Sequence, residues 1–298
     1  MIKNIIYSIS LIIGMFTLSF ILFNLIPTNP ARIILGPSAP EEAVKKLQKE
    51  LNLDKPLHSQ YITELINFLK LKPGKSIILN KPTINETINK LKNSSQLIIL
   101  SLLIALIISY TLNLIAFYVP KLKPIINLTK LGVILPTFVS SITIAVLLTL
   151  TLPELSLRYQ PQNISTLILP ALILSFYPTA LLTHILNNKI NEITQSQYFI
   201  STLALGFSKN YLFHKILLKS TLVSLISTWT NLLSVAFFST ITIEIIFSIP
   251  GIGPLLLQSI TQKDFPMLKT ILIINAFFFI LVNTLTEIIY HKIDPRIK

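Results

Sequence analysis

Six times along this chain an apolar run reaches or exceeds the about 20 residues that a helix needs to cross the hydrocarbon core of a bilayer. The runs cover residues 5–26, 97–119, 128–152, 167–186, 221–249 and 268–290. An apolar fraction of 52% would suit a soluble protein, but only 12% of the residues are charged and the apolar ones are gathered into these runs. The chain therefore reads as an all-α polytopic membrane protein with six transmembrane helices embedded in lipid. The first run is longer than the apolar core of a signal peptide and no small-residue cleavage site follows it, so a retained helix ending at Pro27 is expected.

The basic residues assign the sides. Lys3, then Lys121, Lys123 and Lys130, then Lys189, Lys209, Lys215 and Lys219, then Lys292, Arg296 and Lys298 share the face of the termini. Only Arg158, Lys263 and Lys269 lie in the short loops opposite. The positive-inside bias then places both termini in the cytoplasm.

Three regions follow: a first transmembrane helix in 1–27, a small extracytoplasmic α-rich insertion in 28–96, and a five-helix core in 97–298 with a cytoplasmic segment at 188–219. The insertion holds many acidic residues and lysines and is too polar as a whole to sit in lipid. Within it Ser38 to Glu41 reads as a capping box, with Val44, Leu47 and Leu51 on one helical face. Leu57, Tyr61, Leu65 and Leu69 then repeat at a spacing of four.

Several chemistries are excluded or weakened. The absence of cysteine removes disulfides, thiolate metal sites and cysteine nucleophiles. A net charge of +13 raises nucleic acid as a partner, but the basic residues are spread through loops with no basic run interleaved with aromatics, which argues against it. An Ile, Lys and Asn bias accounts for part of that charge. Pro73-Gly74-Lys75-Ser76 resembles the end of a phosphate-binding loop, yet Leu69 stands where the loop needs its first glycine, and a Pro-Gly turn is the better account. No span carries the Ser/His pair, Asp pair or HExxH helix of an intramembrane protease. No metal site or cofactor is expected.

Ionisable residues inside spans are functional candidates. Glu244, flanked by apolar residues, is expected either to pair structurally at a helix end or to take part in gating. Glu287 is expected to reach the interface or to pair with His291 one turn on. His184 reads as an interface histidine. These groups do not form the mid-membrane relay of a proton-coupled carrier. The densest turn chemistry is Ser248-Ile249-Pro250-Gly251-Ile252-Gly253-Pro254, in a chain with only 7 glycines. It is either a plain helix stop or a rigid outer corner, with Glu244, Pro250, Gly251 and Gly253 as its candidate gate residues. The polar stretch 188–219 has the length of two short helices joined at Gly206, an element that can receive force from a partner.

The residues resemble the inner-membrane permease subunits of ABC importers for dipeptides, oligopeptides and, in some members, nickel. The likeness runs through Phe23-Asn24-Leu25-Ile26-Pro27-Thr28-Asn29-Pro30, Leu35-Gly36, Leu51-Asn52-Leu53-Asp54-Lys55-Pro56-Leu57 and Gln60-Tyr61. It continues through Glu244-Ile245-Ile246-Phe247, Ile249-Pro250-Gly251-Ile252-Gly253, Asp264-Phe265 and Ile293-Asp294-Pro295-Arg296.

The resemblance implies an ATPase-coupling motif at Ser201, Thr202, Leu203, Ala204, Leu205, Gly206 and Phe207. Ile200, Leu203 and Leu205 stand where relatives usually carry basic residues, and Ile216 near their histidine. It also implies a second homologous permease, two cytoplasmic ATPase subunits that do the hydrolysis, and an extracytoplasmic substrate-binding protein. Transport would be ATP-driven peptide import across the bacterial inner membrane by alternating access, with nickel or a metal chelate as another cargo. An ion-coupled secondary carrier and a non-transporting membrane scaffold are the other classes open at this point.

Overall fold

The computed structural model describes residues 2–25, 30–36, 38–50, 52–151, 159–160 and 164–293. In chain order the helices are α1 (Ile2–Leu25), α2 (Pro30–Leu35), α3 (Glu41–Glu50), α4 (Leu57–Leu69), α5 (Thr83–Tyr118), α6 (Pro124–Leu128) and α7 (Leu131–Ile134). They continue as α8 (Thr137–Thr151), α9 (Ile168–Thr194), α10 (Gln197–Ala204), α11 (Lys209–Tyr211), α12 (Leu218–Ile246), α13 (Ile252–Thr261) and α14 (Phe265–Ile293). Among the described residues the only strand-like pairing is an isolated antiparallel bridge between Lys75 and Pro82.

Thr83–Tyr118, Ser165–Thr194 and Phe265–Ile288 are each long and apolar enough to cross a membrane. The run at 128–152 is not one straight helix. Pro120–Ile134 and Phe138–Leu148 meet at 107°. The break falls at Leu135, which leaves helical backbone for φ −80° and ψ 126°, because the ring of Pro136 disfavours the helical region for the residue before it. Ile9–Leu25, Asn231–Ile246 and Ile252–Thr261 are shorter apolar helices.

Two other boundaries differ from the hydropathy reading. α5 begins at Thr83, so the last part of the 28–96 insertion is continuous with the second apolar run. Nothing between Thr83 and Tyr118 is Gly or Pro, and Pro82 stands immediately before the helix, where its fixed φ is compatible with a helix start. The corner at 248–254 leads not straight into the last span but into α13.

The chain divides into two compact units, Met1–Lys92 with Pro254–Leu281 and Asn93–Gly253 with Val282–Lys298. In the first, α1 and α4 pack through aromatic rings. Phe16 and Phe20 lie 5.6 Å and 5.3 Å from the Tyr61 ring, both edge-on, and the Thr17 and Tyr61 hydroxyls are 2.8 Å apart.

The Pro73–Ser76 turn meets a carboxylate of its own chain. Buried Asp264 accepts from the Ser76 hydroxyl, and from the amides of Ile77 at 3.2 Å and Ile78 at 3.4 Å. Its other role is to open α14, accepting from the Met267 amide at 3.2 Å. Backbone amides that could cradle an anion are thus turned inward to a resident one, and this is what a phosphate-loop-like sequence does here.

In the second unit the core is built on Leu97, Leu102, Leu174, Leu182, Leu232 and Ile243, all nearly or wholly buried, with Trp229 packed against it. Gly132 allows α7 to touch α9. A Cβ there would stand 2.8 Å from the Ala180 methyl and 2.9 Å from the Phe176 carbonyl oxygen.

Replacing Asp264 by Ala strands buried donors and is expected to destabilise the first unit by about 2–3 kcal/mol. Asp264→Asn, which keeps one acceptor oxygen, should lose less. Thermal unfolding in detergent, read with proteolysis at the Pro73–Pro82 turn, checks the order.

Candidate functional site

Two sites come from the second unit, one at each end of α12. At its C-terminal end the helix is closed by Phe247, and Ser248 takes a left-handed φ of 54°. The Ile249 amide returns to the Glu244 carbonyl at 2.9 Å and the Gly251 amide to the Ile249 carbonyl at 2.8 Å. The chain is thereby folded back on the side chain of Glu244, which is fully buried.

The Glu244 carboxylate accepts from the Gly253 amide at 2.7 Å, in the first turn of α13. The Ser94 side chain hydrogen-bonds the same carboxylate, and its hydroxyl oxygen accepts from the Ile252 amide at 2.9 Å. Asn93 donates to the Pro250 carbonyl at 2.9 Å. Two of the amide donors that a helix start leaves over are therefore capped by side chains from elsewhere in the chain, with a negative group at the positive end of the helix. Glu244 Oε1 has no hydrogen-bond partner among the described residues.

The glycines are required by this geometry. A Cβ on Gly251 would collide with the Glu244 carboxyl group, and one on Gly253 would lie 2.8 Å from the Ile241 carbonyl oxygen and 3.1 Å from Glu244 Oε2. Glu244, Gly251 and Gly253 thus come together as carboxylate and cradle, with Pro250 held by its carbonyl. Sequence reasoning missed Asn93 and Ser94. The only local signal is the small polar run Asn93-Ser94-Ser95 just before a long apolar stretch.

At the other end of α12 lies the polar stretch 188–219. Its first residues extend α9 to Thr194. Ser196 caps α10 by accepting from the Phe199 amide, and Ser208 caps α11 by accepting from that of Tyr211. Between them Gly206 has φ +81°, and its amide returns to the Leu203 carbonyl at 3.0 Å. The expectation of two short helices joined at Gly206 holds only for the first. After α11 the backbone passes through a wide π turn over Leu212–Leu217 straight into α12.

α10 is seated by Phe199, which joins the buried cluster of Ile190, Leu212, Phe213, Ile216 and Leu217. Thr202 is buried on the same side. The other face is apolar and open, with Tyr198 65%, Ile200 55%, Leu203 51% and Leu205 77% exposed. Ser201, Ala204 and Gly206 are exposed as well, and Phe207 stacks on Tyr211 at 4.8 Å. α5 and the turn after it brace the element, with the Tyr110 hydroxyl 3.1 Å from His214 Nδ1 and Lys123, just before α6, donating to Asn191 at 2.8 Å.

His184 sits 3.2 Å from the Thr129 hydroxyl. Glu287 is exposed, and the expected pairing with His291 lies outside the described side chains. So do Ile26 to Asn29, Leu51 and Asp294 to Arg296 of the family-like motifs.

The comparisons agree along the chain. The family described as "Binding-protein-dependent transport system inner membrane component" matches residues 122–298. The N-terminal region of such membrane components matches residues 1–82. The dipeptide transport system permease protein DppB of Alkalihalophilus pseudofirmus is 26% identical over 333 residues, 99% of this chain and 98% of the relative. The oligopeptide transport system permease protein AppB of Bacillus subtilis is 25% identical over 310 residues, 100% of this chain and 98% of the relative. The glutathione transport system permease protein GsiC of Salmonella paratyphi A is 22% identical over 284 residues, 94% of this chain and 92% of the relative.

Gly251→Ala is expected to destabilise the protein by about 1–3 kcal/mol, the usual cost of overpacking. Glu244→Ala leaves the buried Gly253 amide unpaired, at about 1–3 kcal/mol. The double variant should cost less than the sum, since removing the carboxyl group makes room for the new methyl. Melting temperatures of the four proteins of this cycle check it.

Proposed function

The chain belongs to the binding-protein-dependent transport system inner membrane components, a family of multi-pass inner membrane proteins, and from that premise we propose that it is one permease subunit of an ATP-driven peptide importer. The observation that carries the reading is the full-length likeness to permeases named for dipeptides and oligopeptides, together with an α10 that is anchored by one buried face and open on the other.

In this reading α1, α5, the bent α7–α8 pair, α9, α12 and α14 are the six crossings, with both termini and residues 188–219 in the cytoplasm and 28–96 outside. A second homologous permease completes the pathway. Two ATPase subunits bind below, and a substrate-binding protein delivers peptide above. Hydrolysis belongs to the ATPases, and this chain contributes a lever.

α10 is the part those ATPases grip, through Ser201 to Phe207. Its open face carries Tyr198, Ile200, Leu203 and Leu205, so the groove that receives it is lined mainly by apolar side chains. When the ATPases close on nucleotide, the gripped helices move as rigid bodies and the two permeases change the side to which the pathway opens. The corner at Glu244, Pro250, Gly251 and Gly253 lies at the other end of α12 and closes the outer mouth.

Uptake of peptide into vesicles holding the whole complex should require ATP and survive a protonophore; the reverse pattern would identify an ion-coupled carrier. Gly206 separates shape from space. A Cβ there meets nothing within 4 Å, but φ is left-handed, which costs a β-branched residue about 1–2 kcal/mol. Gly206→Val should therefore distort the end of α10 and leave ATP hydrolysis running without uptake. Gly206→Asn, which tolerates this backbone, should keep most coupling. Parallel ATPase and uptake assays on the two variants check the difference.

A further inference from the structure

The helix α4 belongs to the polar insertion, yet its own surface is divided. At 100° per residue Ser59, Gln60, Thr63 and Asn67 of α4 gather on one side, with Glu64 at its edge and exposed His58 between the two apolar faces. Leu57, Tyr61, Leu65 and Phe68 gather on another, and Tyr61 and Phe68 meet Phe16 of α1 there. A third stripe, Ile62, Ile66 and Leu69, is apolar and open, 53%, 44% and 72% exposed.

The depth of the contacts with α1 says what covers that stripe. Phe16 and Phe20 stand nine and five residues before Leu25, where α1 ends. At ~1.5 Å per residue they lie roughly 14 and 8 Å inside that end. The same stretch of α1 has its own outward residues, Leu18, Ile21 and Leu22, about half exposed. If α1 crosses the bilayer, as the reading above holds, those residues face acyl chains, and a helix packed on Phe16 and Phe20 lies in the same layer.

Charge placement agrees. Lys269, whose ammonium is 5.2 Å from the centre of the Phe20 ring, is paired with Glu64 of α4 at 2.8 Å, as charges at such depth are expected to be. Lys70 and Lys72, just past the end of α4, are exposed.

We propose that α4 is an interfacial helix embedded in the outer leaflet, with Ile62, Ile66 and Leu69 against lipid acyl chains. The insertion is then anchored in the membrane at a second place, and its polar side is the part that remains for water and a delivering protein. A burial of about 5–10 Å is what such helices reach; the Tyr61 contact with Phe20 lies at that level and the Phe68 contact with Phe16 lies deeper.

The absence of native cysteine makes single-site spin labelling direct. Labels are placed at Ile66→Cys, Thr63→Cys and, on α1, Leu22→Cys, in the full chain assembled with its partners in phospholipid vesicles. Collision with dissolved oxygen and with a water-soluble nickel chelate is then compared. The expected result is high oxygen and low nickel collision at positions 66 and 22, and the reverse at 63. Nickel access at 66 equal to that at 63, with 22 still in lipid, overturns the interfacial helix and leaves the spanning reading intact. Nickel access at 22 as well overturns both. Shielding of 66 from both reagents shows protein over the stripe and also overturns the proposal.

Discussion

A backbone amide or carbonyl without a partner at apolar depth costs several kcal/mol, and the places where this chain stops one helix and starts another are built around that cost. At the end of α12 the answer is Glu244, which accepts from Gly253, with Ser94 taking Ile252 and Asn93 reaching the Pro250 carbonyl. At the start of α14 it is Asp264, which serves amides of its own helix and of the turn after Pro73. Among the described residues each unit thus has one buried carboxylate closing one break. The glycine pattern follows from the first of them, because a carboxyl group that reaches the start of α13 leaves no space for a side chain at Gly251.

How far this could be read from the residues depends on range. The apolar runs that became Thr83–Tyr118, Ser165–Thr194 and Phe265–Ile288 were legible because span length is a local property, and so was the corner, since Pro250, Gly251 and Gly253 are concentrated in a chain poor in glycine. The partners that complete the corner were not, because Asn93 and Ser94 lie more than 150 positions away in sequence. Asp264 was visible only as part of a family-like Asp-Phe pair. Pro73 to Ser76 was legible as a turn, but the carboxylate inside it belongs to another part of the chain.

Proline shows the same limit within a single run. Pro136 ends a helix, and Leu135 before it is extended. Pro178 sits inside α9 without ending it, because neighbouring packing can re-satisfy or tolerate the freed carbonyl in a membrane helix. Hydropathy gives the two prolines equal weight, so the bend at Pro136 was hidden in what looked like one span. The second half of the 188–219 stretch was misjudged for a related reason. No Gly or Pro separates Tyr211 from Leu218, and the wide turn over Leu212–Leu217 lets the helix continue where polar composition suggested a separate piece.

That continuity matters for transmission of force in the proposed importer. α12 holds 29 residues, about 43 Å at 1.5 Å each. From Leu218 to Ile246 α12 has neither Gly nor Pro, and the wide π turn that could kink it lies before it, over Leu212–Leu217. One end is fixed to α10 through the cluster of Phe199, Leu212, Phe213 and Ile216, and the other is fixed to the corner through Glu244. The left-handed turn at Gly206 and the π turn lie before α12, and the packed corner at Glu244 and Gly251 lies after it. In the proposed importer, a displacement taken up at α10 would reach the corner as a tilt of α12. In that proposed importer, a glycine beside α10 and a glycine beside Glu244, at opposite ends of α12, would bear on the same movement.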